Sequence, residues 1–296
     1  MAVPLALYCK SYRTDLKRVE RLANSVARFN ADQLPFFISV PRNDLTLFES
    51  QLSGMGATFL PDESIIAANP QIDFVEFGRL PGYISQQIVK SEFWRLGHAE
   101  SYLCLDSDAF FIRTFFRNDY LAPDGVPYTV LDENREVLEH ALGLGKQHVL
   151  NDFLRESRTI QSLFGREGRR YAFGPFPLAW HRSVWESLHQ RFLEPKGINL
   201  LDAIVQFPME SRWYGEALLA YRAIPLYPCQ SFFKVYHYAW QHDQDARKGV
   251  SNEMLSKLYS GVIYQSAWER EMDWPNEGGS LLSRFGRRLR RRLGRI

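Results

Sequence analysis

An α/β fold with a mostly parallel sheet covered by helices is what this sequence predicts, on three observations. Short apolar runs alternate with segments of helical period through the first hundred residues, the pattern of parallel strands joined by helical crossovers. The composition, 45% hydrophobic and 14% aromatic with 24% charged residues over 296 positions, supplies a sizeable core and excludes disorder as the dominant state. An acidic pair, Asp106 and Asp108, directly follows one apolar run, where open α/β sheets place their ligands.

The elements follow in order. Leu5 to Cys9 is the first strand. From Asp15 onward Leu16, Val19, Leu22, Val26 and Phe29 recur at the helical period. Residues 35–40 form a second strand, Leu45 to Leu52 a short helix ended by Gly54 and Gly56, and Ala57 to Leu60 a third strand. After a loop holding Pro61, Pro70 and Pro81, Tyr83 to Leu96 is helical, with Gly97 as its stop. Tyr102 to Leu105 is a strand that runs straight into Asp106-Ser107-Asp108.

Beyond Phe110-Phe111-Ile112 the pattern loosens. Residues 128–131, 176–180, 224–227 and 232–238 read as strands. Residues 135–164 read as mostly helical, broken at Gly143 and Gly145, and helices are expected over 183–192 and 208–221. No repeat or long linker divides the chain. Residues 1–280 are expected to form one domain whose two halves, 1–120 and 121–280, meet near residue 120, followed by a tail over 281–296.

The net charge of +2 hides an asymmetry. Residues 281–296 carry seven Arg and no carboxylate, which leaves the other 280 positions at −5. In that tail Leu281, Phe285, Leu289, Leu293 and Ile296 make one apolar stripe. An amphipathic basic helix of this kind suits an anionic membrane surface, with nucleic acid as the less favoured partner and a solvated tail as the third possibility. Cys9, Cys104 and Cys229 are odd in number and far apart among apolar neighbours, as buried free thiols of a reducing compartment are. The start of the chain lacks the basic n-region of a secretory signal, and no stretch approaches the roughly 18 apolar residues of a membrane span. A soluble or peripheral cytoplasmic protein, attached to the inner membrane face by its tail, is the expectation.

Two carboxylates one residue apart at a strand end offer hard oxygen ligands for Mg²⁺ or Mn²⁺, and such a cation would neutralise phosphate charge. The plain alternative is an Asp-Ser-Asp turn that satisfies its own backbone. A phosphatase of the haloacid dehalogenase type also carries Asp-x-Asp, but on its first strand, whereas three strands precede the motif here. On the preceding helix Tyr83, Gln87, Lys90 and Trp94 share one face. That face is either solvated or the source of an ammonium and an amide for phosphate and sugar oxygens.

The stretches Pro81-Gly82-Tyr83-Ile84-Ser85-Gln86-Gln87-Ile88-Val89-Lys90 and Tyr102 to Arg113 resemble the core of GT-A-type glycosyltransferases. They are most similar to a bacterial family of predicted glycosyltransferases with a Gln-Gln-x-x-Lys helix before the Asp-x-Asp strand. The resemblance implies a metal-dependent transferase that moves a sugar from a nucleoside diphosphate sugar to a saccharide or lipid-linked acceptor. Asp106 and Asp108 would hold Mn²⁺ or Mg²⁺, and residues 1–120 and 121–280 would be the donor and acceptor halves. It also implies a late histidine ligand, His237 with His242 in reserve, unless His237 is simply packed in the core. Donor contacts would come from Gln87 and Lys90, and base contacts from Tyr12 and Asp15, which otherwise open the first helix.

The segment Pro208 to Glu216 is similar to the same family's Ser-Glu-Tyr-x-x-Tyr-Gly, with Glu210, Tyr214 and Gly215 aligning and Met209 and Ser211 departing. Glu210 would then orient or deprotonate an acceptor hydroxyl; otherwise it pairs with Arg212 or caps a helix. Glu216 is expected to be a helix-surface charge. Two other classes stay open: a non-catalytic relative that binds a sugar nucleotide or membrane, and a nucleotidyltransferase on a similar sheet.

Overall fold

The computed structural model describes residues 2–143 and 145–265. The basic tail expected over 281–296 lies outside them.

Strand β1 (Val3–Lys10) leads through α1 (Leu16–Phe29) to β2 (Phe36–Val40), and α2 (Leu45–Gln51) leads to β3 (Ala57–Pro61). Then come α3 (Asp62–Ala67), α4 (Phe74–Gly78), α5 (Gly82–Glu92) and β4 (Ala99–Leu105). A short 3₁₀ turn extends α5 to Leu96, and Gly97 ends it at φ 67°, the left-handed conformation that glycine adopts without cost. The principal sheet has the order β3-β2-β1-β4-β7, with β7 (Leu178–His181) antiparallel to β4 and the other pairs parallel. This is the mixed, mostly parallel sheet that the alternating pattern predicts.

Both faces of the inner strands β1 and β4 are buried, which is why residues 5–9 and 102–105 read as unbroken apolar runs. Side chains alternate between two cores. Tyr8, Tyr102 and Cys104 face α5 and two later helices, α8 (Arg182–Leu188) and α10 (Glu210–Tyr221), with Trp180, Trp185 and Trp213. Leu7, Cys9, Leu103 and Leu105 face α1 with Val19, Leu22 and Val26. Cys9, Cys104 and Cys229 are free thiols, the first two buried.

Between these parts lie β5 (Ala109–Phe111), β6 (Tyr128–Val130), α6 (Arg135–Gly143) and α7 (Gln147–Leu163). The break between α6 and α7 falls where Gly143 and Gly145 place it. Toward the end come α9 (Leu200–Gln206), β8 (Tyr227–Cys229), β9 (Phe233–Tyr236), α11 (Ala239–Arg247), α12 (Asn252–Leu255) and β10 (Gly261–Tyr264). A second sheet, β5-β10-β9, and a parallel pair, β6-β8, complete the described residues. The strand expected at 224–227 is displaced: pairing with β6 begins only at Tyr227, because the partner dictates the ladder. The pattern does not announce β10, α9 or α11; β10 is four residues long and forms only between β5 and β9. No helix of the described residues is long and apolar enough to cross a membrane.

Gly215 lies where α10 meets the ring of Phe173. A Cβ built there would fall 2.1–2.4 Å from three atoms of that buried ring. Gly215→Ala gains roughly 1 kcal/mol of helix propensity but overpacks a rigid aromatic, which costs about 1–3 kcal/mol or more. A net loss of about 2 kcal/mol is expected in urea unfolding, and a stabilised variant would show that the ring moves aside freely.

Candidate active site

The strand order reverses between β1 and β4, and in sheets of this kind the crevice beyond the carboxyl ends at that point receives ligands. Several chain segments deliver charge there. By the parity of β4, Asp106 falls on the same face as Tyr102 and Cys104, toward α5 and α10. It meets Lys90, whose Nζ donates to Asp106 Oδ1 at 2.6 Å and lies 3.4 Å from Glu210 Oε1. The Lys90 and Glu210 side chains are almost fully enclosed, whereas that of Asp106 keeps 26% of its surface. Tyr102 donates from its hydroxyl to the Lys90 carbonyl, and the ammonium lies 4.2 Å from the centre of the Phe176 ring.

Burial by itself would lower the Lys90 ammonium, but Asp106 and Glu210 outweigh it and hold the group well above the ordinary lysine range. Burial raises the Glu210 carboxyl, against the opposing pull of Lys90. Beside this triad Lys10, on the same face of β1, pairs with Asp62 at the start of α3 at 2.8 Å, and both are enclosed. Burial lifts the Asp62 carboxyl despite that partner.

On the other face the acidic motif is tied down. Ser107 Oγ donates to Asp15 Oδ2 at 2.9 Å, and Asp15 Oδ1 accepts from Arg18. The Asp108 carbonyl accepts from Arg21 Nη2 at 3.3 Å and from the Tyr264 amide at 3.2 Å. Asp108 itself is only 3% exposed. The second sheet brings His237 to the same end: Asp108, Tyr264 and Tyr236 lie in one row across β5, β10 and β9, and His237 is the next residue. Two strand spacings, about 10 Å in all, separate the backbones. Burial, with smaller help from His140 and Lys234, lowers the His237 imidazole to about 4 and keeps it neutral.

Several expectations need correction. The face of Tyr83, Gln87, Lys90 and Trp94 is not solvated; only Tyr83 is exposed. The side-chain oxygen of Gln87 is taken up within the protein. It accepts from the Met209 amide at 2.7 Å and the Glu210 amide at 3.3 Å, while its nitrogen donates to the Tyr83 carbonyl. Gln87 therefore holds the start of α10, where Met209 sits at φ 129°, a backbone conformation that needs such support. Each oxygen of Asp15 accepts one hydrogen bond, from Arg18 and from Ser107.

Glu210 pairs with Lys90 rather than with Arg212, whose carboxylate partner is Glu156. Glu216 is buried and takes a bidentate contact from Arg166, so it is no surface charge. Tyr12 stands 47% exposed just past β1. Among the described residues no three His, Cys, Asp or Glu side chains converge into a cation site, so Asp106, Asp108 and His237 are not gathered as a ligand triad in this conformation. Lys10, Asp62 and Ser107 were not foreseen; a lysine closing an otherwise apolar strand was the available signal.

Fold and site together define an α/β protein with charged side chains gathered at the switch point of its sheet. The chain belongs to the family of unknown function DUF6492, whose model matches residues 1–242. No curated protein matches it. Among solved structures it is similar to the galactosyltransferase LgtC in complex with donor and acceptor sugar analogues, at 11% identity and a TM-score of 0.46 over 96% of this chain and 94% of that one. It is also similar to mouse xyloside xylosyltransferase 1, at 7% identity and a TM-score of 0.49 over 92% and 99%. The glycosyltransferase GlyE of Streptococcus pneumoniae aligns at 12% identity and a TM-score of 0.43 over 96% of this chain and 59% of that one.

Proposed function

We propose that the chain is a glycosyltransferase that moves a sugar from a nucleoside diphosphate sugar to a hydroxyl of a saccharide or lipid-linked acceptor, with Mn²⁺ or Mg²⁺ at Asp106 and Asp108. One observation carries this reading. The acidic pair follows β4 at the switch point, and Lys90 and Glu210 arrive at the same place from α5 and α10. The donor set suits a hard cation: two carboxylates one residue apart, Asp106 part-exposed, and a nearby imidazole held in the neutral form that ligates metals. When bound, such an ion neutralises charge on the departing diphosphate.

The chain's own residues do the rest. Lys90 stays charged, orients Asp106 and places a positive charge beside the diphosphate. Gln87 fixes the turn at Met209 and so the position of Glu210. Glu210, with its carboxyl raised by burial, is suited to hold an acceptor hydroxyl or take its proton. The basic tail would keep the protein at an anionic membrane face on the cytoplasmic side.

A second reading, sugar-nucleotide binding without transfer, draws on the Lys90 contact, which already neutralises Asp106. Melting curves with UDP-, GDP- and dTDP-sugars, with and without Mn²⁺, separate the two. Transfer predicts that one donor series raises the melting temperature only with Mn²⁺, by the equivalent of about 2.7 kcal/mol at a hundred times its Kd. It also predicts release of nucleoside diphosphate; pyrophosphate would point to nucleotidyl transfer. Stabilisation that ignores Mn²⁺, without product release, supports binding alone, and no stabilisation by any donor removes both. Deleting residues 281–296 is expected to release the protein from anionic vesicles while donor binding is kept; undiminished sedimentation with lipid would refute that role of the tail.

A further inference from the structure

A second cluster of charge lies on the far side of α10 from Lys90. Arg212, two residues beyond Glu210 and so on the opposite side of the helix, is 2% exposed. Its Nη1 donates to Glu156 at 3.3 Å, and its enclosed Nε has no acceptor. The Arg212 guanidinium carbon lies 4.3 Å from the centre of the Phe153 ring on α7, and that of Arg170 lies 5.4 Å from the same point. The two cations are therefore no further apart than those two distances together. Arg170 Nη2 donates to the Glu133 carbonyl at 3.1 Å, and its Nη1, also enclosed, has no acceptor.

Few carboxylates face these cations: Glu133 and Asp132 act on Arg170, and Glu156 on Arg212. Glu133 is already shared by Arg135 and Arg169, Glu216 is taken up by Arg166, and Glu156 is part-exposed as the partner of Arg212. Two enclosed N–H groups, on guanidiniums that both pack against Phe153, thus lack the oxygens that such groups require. Gly165 and Gly168, both at positive φ, turn the loop that carries Arg169 and Arg170 back over α7. Burial lowers both guanidiniums. Glu133 and Asp132 oppose the shift at Arg170 and Glu156 opposes it at Arg212, which falls to about 10; Arg158 and Arg135 add to the depression of Arg170, and Arg170 to that of Arg212. An added anion would relieve this.

We propose that Arg170 and Arg212 form an oxyanion site that takes a phosphate group, separate from the Asp106 centre and independent of what is bound there. A phosphate offers several acceptor oxygens in the geometry that guanidinium forks match. It would enter from the side where Arg170 and Glu156 are part-exposed and would compete with Glu156 for Arg212.

Isothermal titration of the full-length protein with inorganic phosphate, at constant ionic strength with chloride as the control anion, tests this. Arg170→Met should weaken phosphate binding at least tenfold, and Glu156→Gln, which removes the competing carboxylate, should tighten it severalfold. Circular dichroism melts confirm that each variant is folded. Glycerol 3-phosphate and vesicles containing phosphatidic acid, each compared between wild type and Arg170→Met, show whether the phosphate arrives on a small molecule or on lipid. An Arg170-dependent signal with any of the three probes supports the site. No binding of any probe, or binding that Arg170→Met and Glu156→Gln leave unchanged, overturns it.

Discussion

Lys90→Met is expected to lower the stability of the protein by about 3–5 kcal/mol, the usual cost of removing one member of a buried ionic group. Its ammonium is the counter-charge to Asp106 at 2.6 Å and Glu210 at 3.4 Å, in a place that burial has stripped of water. Methionine fills the space but leaves two carboxylates facing each other. Adding Glu210→Gln should recover part of the loss, since Asp106 is part-exposed and can be hydrated, whereas the enclosed Glu210 cannot. Urea unfolding of the wild type, the single variants and the double variant gives the coupling directly. A loss below about 1 kcal/mol for Lys90→Met would place the triad among weakly coupled surface pairs.

Asp108→Asn is expected to cut Mn²⁺-supported donor turnover by about 100-fold or more, equivalent to about 2.7 kcal/mol of lost transition-state stabilisation. The amide keeps the shape of the side chain, and the carbonyl that accepts from Arg21 and Tyr264 is untouched, so the fold should survive. The charge is what disappears. Mn²⁺ titration followed by water-proton relaxation should show weaker ion binding in the variant. Unchanged turnover and unchanged Mn²⁺ affinity in a folded Asp108→Asn protein would remove the metal from the proposed mechanism and leave the binding-only alternative.

Much of the first half of the chain was legible in the sequence. The runs over 5–9 and 102–105 are continuously apolar because β1 and β4 are covered on both faces, and each run ends at a charged residue, Lys10 or Asp106. The helix stop at Gly97 was equally plain. The second half gave less, because β6, β8, β9 and β10 are each three or four residues long, and their ladders depend on partners up to about 150 positions away. Helix α11 is polar along its length and carries no apolar period to detect.

At the site the division runs through individual side chains. The sequence by itself determined that Asp106 and Asp108 stand at the end of a buried strand, and that a Gln and a Lys precede them on one helix face. Strand parity and helical spacing are local, so adjacent residues suffice to fix them. Only the tertiary structure decided what those groups touch: Lys90 answers Asp106 and Glu210, Gln87 is spent on the start of α10, Asp15 on Ser107, and Glu216 on Arg166. Such partnerships are set by desolvation, which obliges each enclosed charge to find its counter-charge among whichever segments the packing brings near, and the spacing of residues along one chain does not encode that choice.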